Sequence, residues 1–350
     1  MKVLHLLNTA TFSGAENVAC QIINIMKSNP LFEMVYCSRD GAIRTTLDEY
    51  DIAFVPIGDM TTRNLKRIFA EEKPDVIHAH DMRASFTAAL TCGKIPLISH
   101  IHNNAFDSRK ASIKSLAYVY AAMKASHIFW VSHSSFENYL FSRFFKKKST
   151  VLHNIIDVQS LYKKMSLDEN EYNYDIAYVG RLSFPKNPQR LMDIMRKVKI
   201  QNPNFTMAII GTGELEEETK KLAEEYNLLE NISFLGFQSN PYKILHDSKV
   251  MVMTSRWEGL PMCALEAMAL GVPIVATPAD GLKQLIVNGE NGFLASDDDA
   301  LVQHICDILK DKKLYSALSL NQIYKSKSLN DSQKYSNEIQ LIYVKYSKKM

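Results

Sequence analysis

Two glutamates, Glu258 and Glu266, stand eight positions apart in Glu258-Gly-Leu-Pro-Met-Cys-Ala-Leu-Glu-Ala-Met-Ala-Leu-Gly-Val-Pro-Ile-Val-Ala-Thr-Pro278, a stretch otherwise almost wholly apolar. Gly259 frees the backbone for a turn and Pro261 suits a first helical position. Gly271, with Pro273 beyond it, marks where that helix stops. Glu258 is therefore expected in the loop at the helix mouth and Glu266 about two turns into the helix. A helix mouth offers backbone N–H groups, here those of Gly259 and Leu260, and a partial positive charge that suits a phosphate. Glu258 could accept hydrogen bonds from sugar hydroxyls, and Glu266 from a ribose. Taken alone, the pair also suits an ordinary helix with one dipole partner and one exposed acid.

A second candidate lies in Gly180-Arg-Leu-Ser-Phe-Pro-Lys-Asn-Pro188, where Arg181 and Lys186 leave the end of an expected strand on one loop. Two fixed cations stabilise the charge that grows on a departing diphosphate. Arg binds phosphate oxygens with a planar fork, and Lys supplies a compact charge. Such a pair could also replace a metal ion, and the chain carries no CxxC or HExxH pattern, so no metal ligand is assigned. In the first half, His100 and His102 share one face at the end of another strand. His78 and His80 repeat that spacing after Asp75 and are read as scaffold. Ser13 and Glu16 flank Gly14 at the spacing of a capping box. Gly211-Thr-Gly-Glu214 lacks the third glycine of a dinucleotide fingerprint, which argues against an NAD enzyme.

The strings around Glu258 and Arg181 together resemble the donor-site signature of family 4 retaining glycosyltransferases, and the resemblance runs from Met1 to about residue 340. It implies a GT-B fold: two doubly wound Rossmann-like domains of α/β class facing a cleft. It further implies transfer with retention from a nucleoside diphosphate sugar, a UDP-sugar in expectation, with neither cofactor nor metal. By that resemblance Arg181 and Lys186 clasp the diphosphate with the amides of Gly259 and Leu260. Glu258 orients the sugar, Glu266 holds the ribose, and His102, rather than His100, faces the reacting sugar. Gly14 keeps one of the family's two glycines near the donor, whereas Ser13 replaces the other. The link Asn154-Ile-Ile-Asp157 departs from the family's Asn-Gly turn, and Lys283 and Gln284 replace its Pro-Glu. The acceptor implied is a lipid-linked saccharide of a bacterial capsule or exopolysaccharide. A nucleotide-sugar 2-epimerase and a non-catalytic partner subunit are the alternatives.

The elements that must position these residues follow a βαβα rhythm. Strands are expected at 3–7, 34–38, 54–57, 76–80, 97–101 and 128–132, then again at 176–180, 207–211, 232–235, 250–254 and 273–277, with helices between them. This predicts two parallel sheets: an acceptor domain at 1–157 and a donor domain at 158–329. A helix over 330–350 is expected to return to the first domain, with a polar link across 150–175. Ligands are expected beyond the strand ends, in the cleft. A length of 350 residues suits two domains, and 46% apolar with 23% charged residues suits a globular chain. The net charge of +3 does not point to nucleic acid, and five unpaired-looking cysteines read as reduced thiols of a cytoplasmic protein. The first ten residues read as a strand rather than a signal peptide, and no apolar run is long enough to span a bilayer. Residues 100–150 hold eight Lys or Arg against two acids, a net of +6, interleaved with aromatics. That pattern suits peripheral contact with an anionic membrane or, equally, a solvated face.

Overall fold

The computed structural model describes residues 1–103 and 106–347. They divide into two compact units, one formed by Met1–Ile155 with Asp331–Met350 and the other by Ile156–Asn330. The first unit is built on β1 (Lys2–Leu6), β2 (Glu33–Arg39), β3 (Phe54–Ile57), β4 (Val76–His80), β5 (Leu97–Ile101), β6 (His127–Trp130) and β7 (Ser149–Val151). The second holds β8 (Ile176–Val179), β9 (Met207–Ile210), β10 (Ile232–Gly236), β11 (Val250–Met253), β12 (Ile274–Ala276) and β13 (Gly292–Leu294). The sheet orders are β3-β2-β1-β4-β5-β6-β7 and β10-β9-β8-β11-β12-β13. Every strand pairing is parallel.

In each sheet the first strand of the unit lies inside, and the chain leaves it first to one side and then to the other. The order therefore reverses between β1 and β4, and again between β8 and β11. At such a switch point the flanking crossovers diverge and open a crevice past the strand ends.

Parallel strands covered on both faces must be apolar throughout. Ile176, Tyr178, Met207, Ile209, Val250 and Val252 obey this, packed under Leu191 and Met195 of the helix Pro188–Gln201 and Ile305 of the helix Asp298–Lys310. The first core follows the same rule with Leu4, Leu6, Ile77, Leu97, Ile128 and Trp130, covered by Ala84 and Ala88 of the helix Asp81–Ala89 and Tyr118 of the helix Ile113–Lys124. The exceptions include fully buried histidines: His5 on β1, His78 and His80 on β4, and His100 on β5.

The last helix, Ser332–Ser347, belongs to the first unit. Tyr335, Ile339 and Tyr343 recur every four residues and are buried. The Tyr343 hydroxyl lies 2.6 Å from His78 Nδ1 on β4. Full burial of one such side chain stabilises by about 1.5–3 kcal/mol.

Two strands, β7 and β13, were not expected. Three residues each are too few to show a period. The expected polar link is also more ordered than anticipated. It takes in the last two residues of β7, which ends the first sheet, and the helix Val158–Ser166, which opens the second unit. Asp157 caps that helix by accepting from the Ser160 amide at 3.0 Å. Ile155 and Ile156 avoid positive φ, so the link does turn differently from an Asn-Gly pair. Among the described residues, no helix is long and apolar enough to cross a membrane.

Candidate functional site

At the switch point of the second sheet, the loop after β8 meets the loop after β11. Lys186 Nζ donates to Glu258 Oε1 at 2.6 Å, and Ser255 Oγ donates to the same oxygen at 2.5 Å. Glu258 is buried and Lys186 partly so. Burial alone would push the Lys186 pKa down, but the Glu258 carboxylate overrides it and holds the ammonium above its usual range. Arg181 is exposed on the same loop, near enough for its charge to oppose that of Lys186. Lys186, Glu258 and Arg181 thus form one charged group made from positions 77 residues apart or less.

The backbone fixes this group. Asn187 adopts a left-handed φ of 54° that starts the helix Pro188–Gln201. The Thr254 hydroxyl donates to the carbonyls of Lys186 and Asn187 at 3.1 and 3.0 Å. Arg256 donates to Asn187 Oδ1 at 2.8 Å and lies over the Phe184 ring. Glycines explain how closely the loops can pack. A Cβ on Gly211, whose φ is +132°, would fall 2.1 Å from the Gly180 carbonyl oxygen. One on Gly281 would fall 1.8 Å from that of Gly259. The Gly-Thr-Gly string is therefore a backbone contact for the loop bearing Arg181, consistent with its failing the dinucleotide pattern.

Two expectations for the acidic stretch need correction. Pro261 is the N-cap of the helix Met262–Ala269, not its first helical residue, and its backbone is extended. Glu266 consequently sits little more than one turn in, not two. It is buried, with the Tyr242 hydroxyl 3.5 Å from its Oε1. Gly259 and Leu260 are buried in the turn just before that helix, where first-turn amides lack intrahelical acceptors.

The switch point of the first sheet holds the other candidates. His102 follows β5 and is half-buried, and its ring Nε2 lies 2.7 Å from His80 Nδ1. His80 Nε2 in turn lies 3.0 Å from His5 Nδ1. Burial disfavours the charged imidazole, pushing His5 and His102 down to about 3 and His78, His80 and His100 well below their usual value. Asp81, in the left-handed region at φ 69°, accepts from the His102 amide at 3.2 Å, and burial lifts its carboxyl to about 7. His80, read as scaffold, contacts the histidine singled out by resemblance. His5 and Asp81 were missed. The available signal was that β1, β4 and β5 each carry histidine near the carboxyl end. Ring nitrogens of His5, His78 and His80, and of His80, His100 and His102, lie within 4.8 Å of one another. Such spacing could hold a metal ion, though it arises from three strands and escapes any linear motif.

Gly14 opens the helix Gly14–Met26, and a Cβ there would meet nothing within 4 Å. The capping box does not form. Ser13 makes no side-chain cap bond, and its hydroxyl instead donates to Glu16 Oε2 at 2.5 Å, while Thr9 donates to Oε1. Glu16 is buried by these hydroxyl contacts rather than reaching back to the cap's backbone amide.

In the basic aromatic stretch, Ile113, Leu116, Tyr120 and Met123 form one exposed stripe on the helix Ile113–Lys124, and Phe144 is 82% exposed. Lys146 and Lys147 are exposed beside Phe144. Lys148 is different: it donates to the carbonyls of Met123 and Ala125 at 3.0 and 2.7 Å, capping that helix.

Comparison with known proteins completes the picture. Residues 162–323 match the family described as Glycosyl transferases group 1, and residues 48–160 match Glycosyltransferase Family 4. The chain is 25% identical to the UDP-Gal:alpha-D-GlcNAc-diphosphoundecaprenol alpha-1,3-galactosyltransferase of Escherichia coli, over 90% of this chain and 89% of that one. It is 30% identical to a Campylobacter jejuni N-acetylgalactosaminyltransferase acting on a diphospho-undecaprenol saccharide, over 49% of this chain and 47% of that one. In structure it is similar to Anabaena HepE in complex with UDP-glucose, with a TM-score of 0.85, 21% identity, and coverage of 97% and 98% of the two chains. Sucrose-phosphate synthase of Thermosynechococcus elongatus shares the fold at a TM-score of 0.78 and 16% identity, over 98% of each chain. The chain has the GT-B fold and belongs to the group 1, family 4 glycosyltransferases, a retaining family that uses nucleotide sugars.

Proposed function

We propose that this glycosyltransferase moves a hexose-type sugar from a UDP-sugar to a hydroxyl of a lipid-linked saccharide during synthesis of a cell-surface polysaccharide. The observation that carries this reading is the Lys186–Glu258 pair, at 2.6 Å, at the switch point of the second sheet. Lys186 and Arg181 would hold the diphosphate and stabilise its growing charge. The amides of Gly259 and Leu260 would bind its oxygens near a helix mouth. Glu258 has Lys186 and Ser255 on Oε1, which leaves Oε2 to orient sugar hydroxyls. Glu266 would accept from the ribose hydroxyls, and Gly14 would let the donor approach closely.

The acceptor hydroxyl would attack the anomeric carbon from the face the diphosphate leaves, preserving configuration. A diphosphate oxygen would take the acceptor proton, so His102, held neutral by burial, contacts the sugar or the reacting oxygen without acting as a formal base. In this reading Met1–Ile155 receives the acceptor and Ile156–Asn330 the donor. The acceptor class draws support from the Escherichia coli and Campylobacter jejuni relatives, whose names specify undecaprenol-linked saccharides. Peripheral membrane contact through Ile113, Met123, Phe144, Lys146 and Lys147 fits a lipid-linked acceptor.

A panel of nucleotide sugars screened for thermal stabilisation, followed by turnover with undecaprenyl-diphosphate saccharides, tests the activity. Stabilisation by a UDP-sugar and product with retained configuration are expected. Stabilisation only by GDP- or ADP-sugars would reject the UDP assignment. Salt-sensitive binding to anionic vesicles, lost in Lys146→Ala/Lys147→Ala, tests the membrane contact.

A further inference from the structure

His5, His80 and His102 come from β1, β4 and the residue just past β5, and they form a line of ring nitrogens spaced 3.0 and 2.7 Å apart. The His80 and His102 rings lie 10° from parallel with centroids 4.9 Å apart. For His5 and His80 the values are 28° and 5.3 Å. Centroids so far apart, with nitrogens so close, mean that the rings meet edge to edge in nearly one plane. That is the arrangement of an imidazole–imidazole hydrogen bond rather than of face-to-face stacking. The outer nitrogens of the line, His5 Nε2 and His102 Nδ1, have no hydrogen-bond partner among the described residues.

A neutral imidazole has one N–H donor and one bare nitrogen acceptor. His80 must therefore donate on one side and accept on the other, so the two bonds run in a common direction. In one direction His5 Nε2 carries an unpartnered buried proton and His102 Nδ1 is bare. In the other, His5 Nε2 is bare and His102 Nδ1 carries the proton. Each direction leaves one N–H without a protein acceptor. In the first it lies on His5, which is fully buried, and in the second on half-buried His102, where an oxygen of a bound sugar would accept it, which favours the second. His5 Nδ1–H then donates to His80 Nε2, His80 Nδ1–H donates to His102 Nε2, and His102 is left with Nδ1–H.

We propose that His80, backed by His5, is a positioning residue that fixes His102 in its Nδ1–H tautomer, so that His102 offers a hydrogen-bond donor to an oxygen of the reacting sugar. Asp81 supports the same residue through the main chain by accepting from the His102 amide at 3.2 Å. His80 and Asp81, adjacent in sequence, thus fix both the ring and the backbone of His102. His100 packs against that ring, with centroids 4.1 Å apart and planes 37° apart. The proposal rests on the reading of His102 as a sugar contact.

Nitrogen NMR of the intact protein labelled with 15N-histidine reads the tautomer directly. Protonated Nδ1 and bare Nε2 at His102 are expected. Protonated Nε2 at His102 would overturn the proposal, and so would stoichiometric zinc retained by the purified protein, because a metal would occupy the same lone pairs. Kinetics supply a second readout. His80→Phe removes the donor and should lower kcat about tenfold or more with little change in KM. In His80→Asn the side-chain amide takes the place of Nδ1 and can donate to His102 Nε2, so kcat should recover and the His102 shifts should return. Equal losses in both variants would point to packing alone and reject the positioning role. His102→Ala separates the two ideas. Unchanged turnover there sinks the sugar-contact reading, while the tautomer of the parent protein is judged by its nitrogen shifts.

Discussion

The two sheets share a topology, and each places chemistry-bearing residues where its strand order reverses, yet the two crevices are electrically unlike. Beyond β8 and β11 the side chains are ionic: Lys186 on Glu258, with Arg181 nearby. Toward the ends of β1, β4 and β5 most are imidazoles that burial keeps neutral, with the carboxyls of Asp81 and Glu16 beside them. The same backbone geometry thus supports opposite solutions to placing polar groups in a low-dielectric site. An ion pair satisfies its partners by charge, and an imidazole line satisfies them by sharing protons. A group that binds a diphosphate needs charge, whereas one that meets an uncharged hydroxyl does not.

The largest effect is expected from removing the ion pair. Lys186→Met with Glu258→Gln removes both charges while keeping the shape. Replacing a buried pair in this way is often neutral for stability, whereas removing one partner costs about 3–5 kcal/mol. Turnover of the double variant should fall by about 10²–10³, with its thermal transition close to the parent's. Full activity in this variant would detach the charged crevice from the chemistry.

Acidification should separate the two units next. Below about pH 6.5 an unfolded chain takes up protons on imidazoles that the folded first unit keeps neutral. Within the cluster on β1, β4 and the end of β5, the five low-pKa imidazoles His5, His78, His80, His100 and His102 therefore lose stability as pH falls from there toward about 3. Asp81 works in the opposite sense. With its carboxyl raised from 3.8 to about 7, its contribution is present at low pH and lost as pH rises through that window. Five groups outweigh one. Lys186, raised from 10.5, has its linkage only in strongly alkaline solution. Hydrogen exchange at pH 7 and pH 5 should show β1, β4 and β5 losing protection while β8 and β11 keep theirs. Equal loss in both sheets would contradict the neutral-imidazole description.

Smaller effects concern the supports of each crevice. Gly281→Ala places a Cβ against the Gly259 carbonyl oxygen, so the turn before the helix Met262–Ala269 must shift. Because the clash is with main chain, its KM for the donor should rise and its melting temperature should fall together, visible in steady-state kinetics and a thermal scan. Tyr343→Phe removes the partner of buried His78 Nδ1 and should cost about 1–3 kcal/mol in urea titration, without altering donor affinity. If Tyr343→Phe weakened donor binding instead, the two crevices would not be separable.

Legibility differed between the crevices for a physical reason. Glu258, Gly259, Leu260 and Glu266 lie within nine residues, and Arg181 and Lys186 within six, so one loop each sufficed to display them. The strand runs were equally plain because a sheet covered on both faces must be continuously apolar. Helix boundaries were less so: Pro261 can occupy the N-cap or the first helical position, and the structure chose the cap. Ser13 and Glu16 have capping-box spacing, but Thr9 and Ser13 both turn their hydroxyls to Glu16.

By itself the sequence determined the two parallel α/β units, the loops that carry the acids and cations, and the family. Each of these follows from local periodicity or from short strings. Only the tertiary structure decided that Lys186 closes on Glu258, that Lys148 caps a helix instead of joining the exposed basic patch, and that His5, His80 and His102 fall into line. The partners in these contacts lie 22 to 75 residues apart in the chain. Such meetings are set by strand order and register, which put β1 beside β4 and β4 beside β5, and no local spacing encodes them.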